Sequence, residues 1–164
     1  GVRVGAGIAQ GLAFGADLPV IAVSNLTAMA QAAFELHQAE NVAAAIDARM
    51  NEVYVSQVKR EKVRSEFGEF FQWSPVIEEQ VCQPEKVLEQ LSDLTAYRVG
   101  TGWAAYPQFK DSGLEGSDII LPSAQYMLEL ALTDYTQNKV ISALEIEPVY
   151  LRNEVTWKKL PGRE

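Results

Sequence analysis

The sequence predicts an α/β fold built around a mixed sheet, and three observations predict it. Residues 42–58 read as two strands joined by a short polar turn, which opens a meander. Beyond residue 75, helix-forming and β-branched segments alternate, the pattern of strands linked by helices. Hydrophobic residues make up 48% of the 164-residue chain, enough for one core or two small lobes and too many for a disordered chain.

The first element is a helix from Val2 to about Gly15. Gly7, Gly11 and Gly15 recur at a spacing of four, as do Gly5, Ala9 and Ala13. Each glycine inside a helix costs about 1 kcal/mol relative to alanine, so close approach by another backbone must compensate. The alternative is a glycine-rich loop leading into a shorter helix. Arg3, Gln10, Asp17 and Pro19 interrupt the segment too early for a membrane span. It also lacks the initial Met and basic start of a secretory signal.

Val20 to Val23 reads as a short buried strand. Ser24 then caps a helix from Asn25 to His37, with Leu26, Met29, Ala30, Ala33 and Phe34 on its apolar face. Asn41 to Ile46 is an uncharged buried strand that ends at Asp47, and Val53 to Val58 is its β-branched partner. The polar run Lys59–Glu69 reads as a solvated turn. Phe70 to Trp73 follows as a third strand, which Val76 and Ile77 extend after Pro75. Pro84 opens a helix through Leu91, where its missing N–H costs nothing. Tyr97 to Val99 is a strand running into Gly100, Thr101 and Gly102. Ile119 to Leu121 is another, and Ser123 caps a helix to about Asn138. Residues 147–152 close the folded part, and 153–164 form a basic-leaning tail.

Composition excludes several functions. Acidic residues outnumber basic ones by 22 to 14, a net charge of −8, which argues against gripping nucleic acid through bulk charge. The single cysteine, Cys82, rules out an internal disulfide, fits a reducing cytoplasm and reads as a packed core residue. With one histidine, His37, no zinc constellation can be assembled.

Arg3, Gly7, Ile8, Gly11, Leu12 and Gly15 form a candidate subunit interface on the first helix. Asp47, at the mouth of a buried strand beside Arg49 and Glu52, can hold a phosphate-bound metal or a hydroxyl; alternatively, the two carboxylates bracket Arg49 and fix the turn. Gly100 and Gly102 can let a nucleotide approach the backbone, or simply make a tight turn. Trp103 and Tyr106 suit either base stacking or a helix packed on the sheet. Tyr150 and Arg152 suit a recognition surface or a braced turn. Lys158, Lys159 and Arg163 suit an RNA contact or a solvated tail.

From residue 42 the order is three strands, helix, strand, helix, strand, helix. This is the topology of a ribonuclease H-like subdomain of the actin-like ATPase architecture. Residues 1–38 then read as the helix–strand–helix remnant of a first such lobe, and 39–164 as the second lobe with its tail.

Three segments together resemble the TsaB (YeaZ) family of bacterial tRNA threonylcarbamoyladenosine synthesis. Gly1 to Gly5 with Ile8 to Leu12 looks like the second half of that family's glycine-rich motif and its helix. Ile46 to Arg49 with Glu52 to Tyr54 looks like its Asp-Ala-Arg hairpin. Pro148 to Arg152 looks like its Pro-x-Tyr-Leu-Arg signature. The family's opening strand with its Asp-Thr turn has no counterpart here, so the resemblance implies that the first lobe's start lies outside this sequence. It further implies a catalytically inert scaffold. Its partners would be the transferase TsaD and the ATPase TsaE, with a homodimer in isolation and tRNA reached only through the complex. No cofactor would be held by this chain alone, ATP or ADP being left to the complex, and the location would be cytoplasmic and away from membranes. Two other readings stay open: a glycoprotease-like hydrolase, which needs a nucleophile–base pair or metal, and a nucleotide-binding ATPase, which needs a phosphate-binding hairpin.

Overall fold

A computed structural model describes residues 1–66, 68–91 and 93–152. Its centre is a four-stranded sheet of order β3-β2-β1-β4. Strands β1 (Asn41–Arg49), β2 (Glu52–Ser65) and β3 (Gly68–Cys82) form an antiparallel meander, and β4 (Tyr97–Val99) lies parallel to β1. The expected mixed sheet is therefore present. The helices are α1 (Val2–Ala16), α2 (Asn25–His37), α3 (Pro84–Gln90), α4 (Gly102–Ala105), α5 (Pro107–Asp111) and α6 (Met127–Thr136). Short 3-10 turns cover Ala124–Tyr126 and Ala143–Glu145.

The strand β1 is buried on both faces, and its alanines explain how. Val42 and Ala44 face α2, where Leu26, Met29, Ala30 and Ala33 close one half of the core. Ala43 and Ala45 face the other way, with Val53, Val55, Val87, Trp103 and Phe109. Small side chains let backbones come close on both sides. As expected, the Ser24 hydroxyl caps α2, accepting from the amides of Leu26 and Thr27 at 3.1 and 3.4 Å. Pro84 opens α3, and Ser123 accepts from the Gln125 amide. Cys82 is buried, as expected, and burial pushes its thiol up from the ordinary value.

Three sequence expectations are corrected. Residues 59–69 are not a solvated turn. The strands β2 and β3 run through them as a hairpin, held by Lys62 and Arg64 on β2 reaching Glu69 on β3. Charged residues on a two-stranded ribbon are compatible with pairing because both its faces can meet water. Pro75 sits inside β3 because β3 is an edge strand, where a missing amide is tolerated. Val20 to Val23 form no strand; Val20 alone makes a two-bond bridge with Ile141, and no described strand lies beside the rest. Ile119 to Leu121 also form no strand. Ile119 is buried, and its carbonyl accepts from the Gly100 amide at 2.7 Å without a continuing ladder. The tail beyond residue 152, with Lys158, Lys159 and Arg163, lies outside the described residues.

Candidate functional site

Two regions collect the candidate residues. The first is the carboxyl end of β1. The Asp47 Oδ1 accepts from the Arg49 amide at 2.9 Å and from the Tyr106 hydroxyl at 2.8 Å. The Asp47 amide donates to Thr101 Oγ1 at 3.1 Å, so the Asp47 turn and the Gly100–Gly102 loop are brought together. The turn itself is demanding. Arg49, Met50 and Asn51 all lie in the left-handed region, at φ +64, +58 and +59°. Non-glycine residues there cost about 1–3 kcal/mol each and persist where surroundings fix them.

Arg152 supplies much of that fixing. Its Nη2 donates to the carbonyls of Ala48 and Arg49 at 3.2 and 3.4 Å and pairs with the Glu52 carboxylate. Sequence reasoning left Arg152 open between recognition and bracing, and the geometry is bracing. The available signal was a three-residue turn without glycine. The Arg49 side chain is 88% exposed and stands 4.0 Å from Asp47, too loose to hold the turn by itself.

The backbone amide of Arg49, followed by the Tyr106 hydroxyl, keeps the Asp47 carboxyl below the ordinary carboxylate range. Burial, then the Asp47 hydrogen bond, pushes the Tyr106 phenol up. In this arrangement Asp47 serves its own turn as a hydrogen-bond acceptor.

The glycines of the neighbouring loop have a packing reason. Gly100 has φ +102°, and a Cβ there would stand 2.2 Å from the Ala45 carbonyl oxygen. A Cβ on Gly102 would stand 2.9 Å from the Ala45 carbonyl carbon. Both residues lie directly against β1. Trp103 is only 2% exposed; its indole donates to the Val99 carbonyl and its ring packs on Phe109 at 4.8 Å. It presents no free face for a base, and Tyr106 is committed to Asp47.

The second region is α1. Its inner side rests on the 3-10 turn Ala143–Glu145, with Ala13 buried and Gln10 Nε2 donating to the Ala143 carbonyl at 2.9 Å. Gly7, Gly11 and Gly15 meet nothing within 4 Å of a Cβ position. Ile8 and Leu12 beside them are 59 and 71% exposed. Five of the six candidate interface residues thus share one open face. Arg3 lies at its shoulder, engaged by Tyr150 through Nε at 3.0 Å.

The remaining singled-out residue, His37, stacks on Tyr97 at 5.2 Å with Nε2 3.4 Å from Asp118. Among the described residues, no group of three or more His, Cys, Asp or Glu is placed to hold a metal ion. No described helix is long and apolar enough to cross a membrane. The sandwich of Arg60 between the rings of Phe34 and Phe71, at 3.7 and 3.9 Å, was not legible in the sequence, because it joins α2 to both strands of the ribbon.

An antiparallel meander, a parallel fourth strand and helices on both faces place the molecule in the ribonuclease H-like, actin-like class. Comparison with known proteins narrows this. The family model "TsaD: tRNA N6-adenosine threonylcarbamoyltransferase" matches residues 1–153. The tRNA threonylcarbamoyladenosine biosynthesis protein TsaB of Haemophilus influenzae is 77% identical over the whole chain, which spans 70% of that relative. The protein of that name from Escherichia coli is 46% identical, again over 100% of this chain and 70% of the relative. The solved structure of YeaZ from Pseudomonas aeruginosa superimposes with a TM-score of 0.77 at 35% identity, covering 92% of this chain and 68% of that one. The chain belongs to the TsaB (YeaZ) family, a branch of the family that this model describes.

Proposed function

We propose that the chain serves formation of threonylcarbamoyladenosine in tRNA as a non-catalytic subunit, binding the transferase TsaD through the open face of α1 and activating it. The observation that carries this reading is α1 itself. A helix with Gly7, Gly11 and Gly15 in line, flanked by exposed Ile8 and Leu12, is destabilised alone and suited to a closely packed helix. The relatives' shared name supplies the pathway. On this reading the same face pairs two copies of the chain when TsaD is absent. TsaE and tRNA join the assembly through TsaD, in the cytoplasm, and any ATP or ADP belongs to the complex.

Activation then proceeds by differential binding. A subunit that binds the competent conformation of TsaD more tightly raises its population without contributing a reacting group. A hydrolase or an ATPase acting alone is less well supported. The Asp47 carboxylate is engaged by its own turn and by Tyr106, and the chain's single histidine is tied to Asp118 and Tyr97.

The test is Gly11→Leu. A leucine would stand where the open helix face must admit a neighbour, and overpacking typically costs about 1–3 kcal/mol. Sedimentation should show a weaker self-pair, and co-purification with TsaD should fall in parallel. Unchanged pairing in both assays, with the fold intact by circular dichroism, would overturn the interface.

A further inference from the structure

We propose that Tyr150 and Arg152 are positioning residues that couple α1 to the Asp47 hairpin, so that a change at either is felt at the other. Two side chains two residues apart make the connection. The Tyr150 hydroxyl accepts from Arg3 Nε at 3.0 Å, with the Arg3 guanidinium 5.6 Å from the ring centroid. Arg152 closes the turn of residues 49–51 by its bonds to the Ala48 and Arg49 carbonyls and its pair with Glu52. Its Nη1 also lies 3.5 Å from the Met50 sulfur.

The two attachments matter because α1 has few others and the turn of residues 49–51 is strained. The helix α1 buries one residue, Ala13, and its long-range hydrogen bonds among the described residues, from Arg3 and Gln10, run to Tyr150 and Ala143. Directly after it, Val20 exchanges two backbone bonds with Ile141. The helix is thus moored to residues 141–150. The hairpin turn has three consecutive left-handed residues, a conformation that needs outside support. Arg152 gives that support from the same stretch of chain. The segment moors a bare helix at one end and clamps a strained turn at the other, and so forms one contiguous physical link between them. The coupling belongs to this chain alone and does not rest on which partner covers α1.

Hydrogen exchange on the intact chain tests it by a crossed readout. Tyr150→Phe removes one hydroxyl and touches no hairpin residue. It should speed exchange of the amides of residues 49–54 about 3- to 10-fold, the range expected for one lost hydrogen bond. Arg152→Lys keeps the charge and loses the planar fork. It should speed the amides of residues 6–12 in α1 by a similar factor. The amides of α2 should be unchanged in both. Two results overturn the coupling: faster exchange at each variant's own element only, or an equal acceleration in α2, which would mean general loss of stability. If Arg152→Lys does not fold, the hairpin amides of Tyr150→Phe decide alone.

Discussion

A methyl group added at Gly100 would stand 2.2 Å from the Ala45 carbonyl oxygen, on a backbone at φ +102°. At Gly11 the same methyl group would meet nothing. Gly100→Ala should therefore lower stability by about 2–5 kcal/mol, as strained and overpacked sites do. Gly11→Ala should raise it by about 0.5–1 kcal/mol, the helix propensity gained. Urea unfolding of the two variants checks both signs, and a stable Gly100→Ala protein would contradict the close approach to β1. The Asp47 and Tyr106 pair makes a second prediction at this scale. The Asp47 carboxyl is held below its ordinary 3.8, so the stability it adds is present above that pH and is lost as pH falls through the folded value. The Tyr106 phenol is raised above its ordinary 10.0, so its share is present below that pH and is lost as pH rises through the folded value. Asp47→Asn should flatten the acid decline of the urea midpoint, and Tyr106→Phe the alkaline one. Unaltered pH profiles would mean that the pair is not formed in solution.

The helices were the most legible elements. Ser24, Pro84 and Ser123 mark helix starts through local chemistry that a single sequence displays. The meander was legible for the same reason, since Asp47 ends one apolar run and β-branched residues open the next. Strand existence elsewhere was not, because a strand needs a neighbour and the sequence does not name one. Val20–Val23 and Ile119–Leu121 have the right residues, but Val20 makes an isolated two-bond bridge and Ile119 accepts one backbone hydrogen bond, and neither continues as a ladder. Conversely, charge along 59–69 concealed a hairpin whose pairing is visible only once Glu69 meets Lys62 and Arg64. Two element-scale predictions follow from the contacts around α2. Ser24→Ala should cost about 1 kcal/mol through the lost cap. Arg60→Ala should cost about 1–2 kcal/mol, since its guanidinium lies between two rings. Urea midpoints that match the parent chain would show that neither contact bears on stability.

For the whole molecule, the sequence placed Asp47 and the Gly100–Gly102 loop on separate elements, and the fold brings them to one end of β1. What the sequence withheld was how far packing and bracing account for them. The closeness of Ala45 to both glycines, and the reach of Arg152 across about a hundred residues, are long-range facts. The α1 face was legible because glycine at a spacing of four is a local pattern with a physical cost. These observations support the proposed reading, in which the chain serves through the open face of α1. The most direct measurement is the rate of threonylcarbamoyladenosine formation on tRNA in a system of the chain, TsaD, TsaE and preformed threonylcarbamoyl-adenylate. Gly11→Leu should lower the stimulation in step with its weakened pairing, and Asp47→Asn, still paired with TsaD, should stay within about tenfold of the parent, below the loss typical of an acid–base catalyst. A loss of about 100-fold or more in Asp47→Asn with pairing intact, or full activity in Gly11→Leu, would contradict the account.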